Sequence, residues 1–418
     1  MRFYKLLVLI VVFLYTSASY GQFIKSPYSN NGLGETLFQG LPNNFAMGEV
    51  GIGTPNPWHI NLQNPSQLTY NKFSSFQAGI SGDFRNYESA TVKTKDNAAS
   101  LRFLAMSFPV VANRWTTSFA LLPLTSVSYN TYSQDSIDTG VLGVTQFQGD
   151  GGISQLVWSN GIRVYKTLAV GFKASYMFGH ILRDARVQLL GEDFGSNYVI
   201  SYKKETSYKD INFEASVSYR WILKETRFLN FGAVYELSNS LSGTENSYYE
   251  RLRLTGTPLQ SQTISENVKS DFTLPQSIGI GVSYEMLGKF TVGADVKTQS
   301  WKSSNEGSEI SLRNTTNFGI GASFIPDFQS ISNYLKRATY KVGISRKESP
   351  YLLEDTPIND FGINFGASFP VSGYSSMDLA FKFGQRGTTD KGLIKEEYFQ
   401  VVIGATINDR WFIKRRYD

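Results

Sequence analysis

From about residue 73 to the end of the chain, apolar and small-or-polar residues alternate one for one. Ile278, Ile280, Val282, Tyr284 and Met286 alternate with Ser277, Gly279, Gly281, Ser283 and Glu285. Phe361, Ile363, Phe365, Ala367 and Phe369 alternate in the same way with Gly362, Asn364, Gly366 and Ser368, and residues 377–384 and 399–408 repeat the pattern. A period of two puts successive side chains on opposite faces of a strand, so each segment has one apolar and one polar face. Strands are predicted near 73–85, 101–109, 115–130, 153–165, 168–184, 208–222, 228–241, 273–286, 290–304, 312–326, 338–348, 359–371, 375–387 and 396–412. A soluble sandwich alternates too, but the connections separate the two cases. Short ones (110–114, 166–167, 223–227, 287–289, 372–374, with 327–337 a longer exception) alternate with mostly longer ones (86–100, 131–152, 185–207, 242–272, 305–311, 349–358, 388–395). Membrane barrels have an even strand number, short turns on one side and longer loops on the other. Many predicted strands also exceed the roughly 9–11 residues a tilted membrane-spanning strand needs. The expected fold is therefore all-β: a transmembrane antiparallel β-barrel of about fourteen strands, with its apolar face to lipid and its polar face to the lumen. Lys173, Glu214, Arg220, Glu236, Asp295, Lys297 and Lys382 fall on the polar face. Trp221, Trp301 and Trp411 suit interfacial girdles or core positions equally.

Residues 22–72 break the pattern. They are rich in Gly, Asn and Pro, and they carry Phe23, Ile24, Leu33, Leu37, Phe38, Leu41, Phe45 and Met47. A disordered leader would be poorer in apolar residues. The expectation is a hatch folded into the lumen, where the polar wall satisfies its irregular backbone. Ahead of it, Arg2 and Lys5, an apolar stretch at 6–15 and a small, polar stretch at 16–21 read as a signal peptide cleaved before Gln22. That stretch is too short to span a bilayer as an anchor. The expected organisation is a signal peptide at 1–21, a hatch at 22–72 and a barrel at 73–418.

Composition removes most other classes. The 418 residues include 30 Phe, 24 Tyr and 37 Gly, and no Cys, which excludes disulfides, thiolate metal sites and Cys nucleophiles. Export without Cys fits a bacterial envelope, here the outer membrane. A net charge of +5 is small for this length, and no basic stripe marks a nucleic-acid surface. Only His59 and His180 are available, so no His metal cluster is expected, and no Gly-x-Ser-x-Gly elbow is present. Gly48, Gly51 and Gly53 lack the strand–helix context of a dinucleotide site and read as tight turns in the hatch. No catalytic residue, metal or cofactor is expected, and the chain is read as a non-enzyme.

An irregular N-terminal segment ending in Asn64-Pro65-Ser66, approached through Gly48, Gly51 and Gly53, resembles the hatch of the FadL-type outer-membrane transporters of hydrophobic compounds. Leu274-Pro275-Gln276-Ser277, the following turn, Asp295 and Trp301 resemble a second landmark of that family. The stretches at 384–388, 396–398 and 408–412 are similar to its Bacteroidetes branch. Ser66 stands where Ala is common, and residues 413–418 follow Phe412. The resemblance implies passive uptake of hydrophobic, fatty-acid-like compounds from among the outer loops, with outer-membrane lipid around the barrel. Leu189, Leu190 and Phe194, in an expected loop at 185–207, are the candidates for admitting the ligand. Pro123 is the candidate for a strand kink that opens the wall, or for an ordinary bulge, since Pro removes a ladder donor. The alternative is a non-transporting barrel that holds envelope proteins, as FadL-like barrels do in type IX secretion.

Overall fold

Alternation becomes a closed antiparallel ring. The computed structural model describes residues 23–138, 141–190, 198–304, 311–353 and 355–410, so the expected signal peptide, Phe194 and Trp411 lie outside the described residues. Fourteen wall strands are described: β1 (Ser74–Glu88), β2 (Lys93–Val111), β3 (Trp115–Pro123, resumed as Thr125–Asp138), β4 (Val141–Arg163), β5 (Leu168–Leu190), β6 (Tyr198–Lys224), β7 (Arg227–Glu236, resumed as Asn239–Arg253), β8 (Pro258–Lys269, Phe272–Leu274 and Ser277–Met286), β9 (Phe290–Gln299), β10 (Thr315–Phe324), β11 (Thr339–Leu353), β12 (Thr356–Pro370), β13 (Ser376–Arg386) and β14 (Lys395–Asp409). Fifteen residue pairs, from Lys395–Glu88 to Asp409–Ser74, join β14 to β1 and close the ring.

Register carries the sequence parity around the wall. On β1, Phe76, Ile80 and Phe84 are exposed, while Ser75, Gln77, Ser81 and Arg85 are buried. Across β12, β13 and β14, outward-facing Phe365, Phe381, Phe383 and Phe399 stack with centroids 4.4–6.0 Å apart. An apolar band of this extent, facing outward on strand after strand, is stable only against lipid. No described helix is long and apolar enough to cross a membrane.

The expected outer loops are largely strand. β4 begins at Val141, β5 runs on to Leu190, β6 starts at Tyr198, and β7 and β8 extend the ladder through 239–269. In these extensions Leu241 and Leu252 are buried while Ile200, Tyr202 and Tyr249 are exposed, so apolar residues do not keep to one side and give no period-two signal. Trp301 is buried in a single-turn helix, Trp301–Ser304, against Phe272, and is a core residue, not a girdle residue. Trp221 is exposed on β6.

The N-terminal segment touches strands all the way round the ring and so lies within it. Ser29 bonds β3 through Ser128, Thr69 accepts from Arg163 of β4, and Ser66 bonds β6 through Ser216. Gly51 bonds β9 through Asp295, Phe45 accepts from Asn364 of β12, and His59 meets Asp378 of β13. Its short elements are 3-10 turns at Pro27–Asn30 and Pro65–Tyr70, a strand Glu35–Thr36 and one helical turn, Pro42–Phe45. Proline opens three of the four, where its missing N–H costs nothing. The lumen is not uniformly polar, as the alternation implied. Leu41, Ile60, Leu62 and Leu68 of the segment pack on Phe103, Ala105, Ala120, Leu122 and Val157 of β2–β4. Leu33 packs on Val127, Ile153, Met177 and Ile181 of β3–β5.

Candidate functional site

Beside that apolar half, on β1 and β11–β14, the segment meets charge. Arg85 of β1 pairs with Glu35 (3.2 Å) and with Glu396 of β14 (3.0 Å), while Arg386 of β13 pairs with Glu35 (2.7 Å) and Asp360 of β12 (2.9 Å). Glu49 takes Lys347 of β11 at 2.6 Å and Lys382 of β13 at 3.1 Å. Burial alone would raise the carboxyl of Glu35, but Arg386 and Arg85 outweigh it and hold the group well below the usual carboxylate range. Lys347 and Lys382 do the same for Glu49. Of the other polar-face residues read from sequence, Lys173 pairs with Glu214 (2.6 Å), Arg220 with Glu285 (2.6 Å) and Lys297 with Glu236 (3.1 Å), while Asp295 binds backbone amides.

The turn at 51–53 is the tightest point of contact. The Asp295 carboxylate accepts the amides of Gly51 and Ile52 at 2.6 Å each and that of Gly53 at 3.3 Å. The carbonyls are satisfied as well, Gly51 O by Asn61 (2.7 Å), Ile52 O by Asn64 (2.7 Å) and Gln67 (3.0 Å), and Gly53 O by Ser283 (2.7 Å). Glycine is required by proximity: a Cβ on Gly53 would overlap the backbone of Gly281, and one on Gly281 would overlap Gly53 and Asp295. Gly48 has φ +69°, and its Cβ would meet the carbonyls of Ile320 and Ile344. Asn64 caps the 3-10 turn, accepting from Ser66 N (3.1 Å) and Oγ (2.6 Å), while Pro65 takes the first position. Gly51, Gly53, Asn64, Pro65 and Ser66 thus lie in one hydrogen-bonded region, while Gly48 rests apart from it against β10 and β11. We expect Gly281→Ala to lift the 51–53 turn at a cost of about 1–3 kcal/mol, the usual range for overpacking. Faster proteolysis within 42–72, with the barrel still folded by heat-modified gel mobility, checks this.

Pro123 ends the first part of β3, and the ladder between β2 and β3 stops nearby, at Leu104–Leu121. Beyond it, residues 93–103 of β2 pair only with β1, and Thr125–Asp138 pairs with β4 and with Glu35–Thr36. The wall is therefore unzipped along its upper β2–β3 seam. Arg102, the extra residue at a β1–β2 register shift, reaches across to the carbonyl of Phe38 at 3.0 Å. A cavity of about 290 Å³ runs from Leu37, Phe38, Leu62, Leu122 and Val157 on the seam side to Lys173, Glu214, Glu236 and Lys297 on the other.

Leu189 and Leu190 are the last residues of β5, opposite Gly143 and Leu142, and not in a loop. Strand parity with buried Ile181 turns Leu189 inward and Leu190 outward, and neither lines the cavity. His180 faces Ser207 at 3.3 Å on the wall, and no group of three or more metal-ligating side chains occurs among the described residues.

Fold and packed lumen together define an outer-membrane β-barrel of the FadL-like architecture. The chain belongs to the BamG family, whose profile matches residues 3–418. Among solved structures it is similar to the toluene transporter TodX of P. putida (13% identity, TM-score 0.57, covering 89% of this chain and 99% of that one). It is also similar to the toluene transporter TbuX of Ralstonia pickettii (14%, 0.55, 89% and 99%) and to a FadL homologue of Pseudomonas aeruginosa (11%, 0.57, 89% and 98%). At these identities the likeness is one of fold, and the neighbours are transport proteins, not enzymes. No curated protein matches the chain.

Proposed function

We propose that this chain is an outer-membrane barrel for passive passage of hydrophobic compounds, with residues 22–72 as its hatch and 1–21 removed on export. The observation that carries the reading is the unzipped β2–β3 seam beside the apolar half of the cavity. A compound entering from the outer mouth meets Leu37, Phe38 and Leu122 and leaves sideways into lipid, without crossing the charged half. Fold alone does not fix function, so the passage itself has to be measured. Proteoliposomes holding the barrel should take up a fluorescent long-chain fatty acid or toluene faster than protein-free vesicles. Leu122→Glu and Val157→Lys place a charge in the apolar half and should slow uptake about tenfold or more, since an unpaired buried charge costs several kcal/mol. Uptake no faster than in empty vesicles sinks the reading. A second reading, a barrel that holds envelope proteins, is favoured by the tall sheet that β3–β8 raise above the apolar band.

A further inference from the structure

Two strand edges of that tall sheet carry no neighbouring strand along most of their length among the described residues: Pro258–Lys269 of β8, and β3 beyond Ser128. They differ in kind. The β8 edge has register shifts around Ile264 and at 266–267, and Asn267 sits at φ +55°. Bulges of this sort are how proteins blunt an edge against further pairing. The β3 edge has none between Val127 and Ser136, where ten consecutive residues pair in register with β4.

The β3 edge already accepts strand-like partners at its lower end. Ser126 and Thr125 pair antiparallel with Glu35 and Thr36. The Ser128 carbonyl accepts from Ser26 N (2.7 Å), and its amide donates to Ser29 Oγ (3.0 Å). In a strand the N–H and C=O of one residue point to the same side, and alternate residues share it. Asn130, Tyr132, Gln134 and Ser136 therefore present the same row of donors and acceptors that Ser128 presents, in continuity with the contact the hatch has made.

We propose that this row docks an extended segment of a partner protein, added as a strand antiparallel to β3 at the outer surface. This rests on the partner-holding reading, and the row lies along the same β2–β3 seam that the passage reading uses. A second copy is the poorer occupant. Two barrels in one membrane are related by an axis along the membrane normal, which turns like edges parallel to each other with like groups facing, and no ladder forms that way.

Residue-resolved hydrogen exchange on native outer membranes and on the purified barrel tests it. Expected is slowing of about 100-fold or more, in membranes only, at amides 130, 132, 134 and 136. Amides 129, 131, 133 and 135, bonded to β4, should be slow in both preparations. Equal exchange of the even amides in the two samples overturns the proposal. A photo-crosslinker at Tyr132 should give one protein adduct in membranes, lost in Gln134→Pro, which removes an outward donor only. Adducts to lipid alone, to a second copy, or unaffected by that change also overturn it. Heat-modified gel mobility confirms that the variant barrel is folded, and vesicle uptake of the fatty acid, measured separately, reports on passage.

Discussion

Replacing Asp295 with Ala is expected to free the 51–53 turn while leaving the barrel wall intact. The carboxylate is the acceptor for three adjacent amides, whereas Asn61, Asn64 and Gln67 hold the turn by donating to its carbonyls. Three buried donors left unpaired cost about 1–3 kcal/mol each where water does not reach them, so about 3–9 kcal/mol of docking is at stake. Local opening of the turn should become about 10²- to 10⁶-fold more frequent. The measurement is amide exchange at Gly51, Ile52 and Gly53 in the detergent-solubilised barrel. Asp295→Asn should fall between the two, since it keeps one acceptor oxygen and turns an N–H2 toward the same donors. Unchanged exchange in the Ala variant would mean that the glycine contacts with Gly281 and Gly232, not the carboxylate, hold the turn. If the hatch gates passage, the same variant should raise uptake by vesicles in step with its exchange rate.

The wall was legible in the sequence and its contents only in part, for a physical reason. Strands with one face in lipid must alternate, so 277–286, 359–371 and 396–409 could be read residue by residue. Above the apolar band that constraint lapses, and the extensions at 141–151, 198–207 and 242–269 read as loops although they are paired. Asp295, Lys382 and the wall pairs Lys173–Glu214 and Lys297–Glu236 announced themselves as charges on the polar face. The partners that the N-terminal segment supplies did not, because that segment has no period from which to infer that Glu35 meets Arg386 or that Glu49 meets Lys382. Gly48, Gly51 and Gly53 were visible as a run. The wall glycines they rest against, Gly281 and Gly232, looked like ordinary small residues of an alternating strand. The apolar inner half was hidden for a related reason: Leu122, Val157 and Met177 face a segment that is itself apolar, so polarity does not mark their side as inward. Pro123 carried a genuine local signal, a missing donor, but the end of the β2–β3 ladder needs the register to be seen.

Acid should loosen the N-terminal segment around Glu35 and Glu49 before it unfolds the barrel. Glu35 and Glu49 have carboxyls held below their ordinary range by Arg386 and Arg85, and by Lys347 and Lys382. A group whose folded pKa is depressed stabilises the docked state fully above its free value, about 4.3 for Glu. That contribution drains away as pH falls from there through the lower docked value. Amides near Glu35 and Glu49 should therefore exchange from a more populated open state as pH drops below about 4, after correction for the intrinsic pH dependence of exchange. The wall pairs of β1 and β14 should stay protected over the same range, since fifteen ladder pairs join them. Glu35→Gln tests the cause. It leaves Arg85 and Arg386 buried with one carboxylate fewer, and breaking such a pair typically costs about 3–5 kcal/mol, so the variant should open already at neutral pH. Its remaining acid dependence should be shallower, because one titrating group has been removed. An Arg386→Met and Glu35→Gln double variant should recover part of the loss, since the uncompensated guanidinium goes with its partner. Should the single variant stay as tightly docked as the native chain at pH 7 and keep the full acid response, the ion pairs would be spectators, and the apolar contacts of Leu33 and Leu41 would hold the N-terminal segment alone.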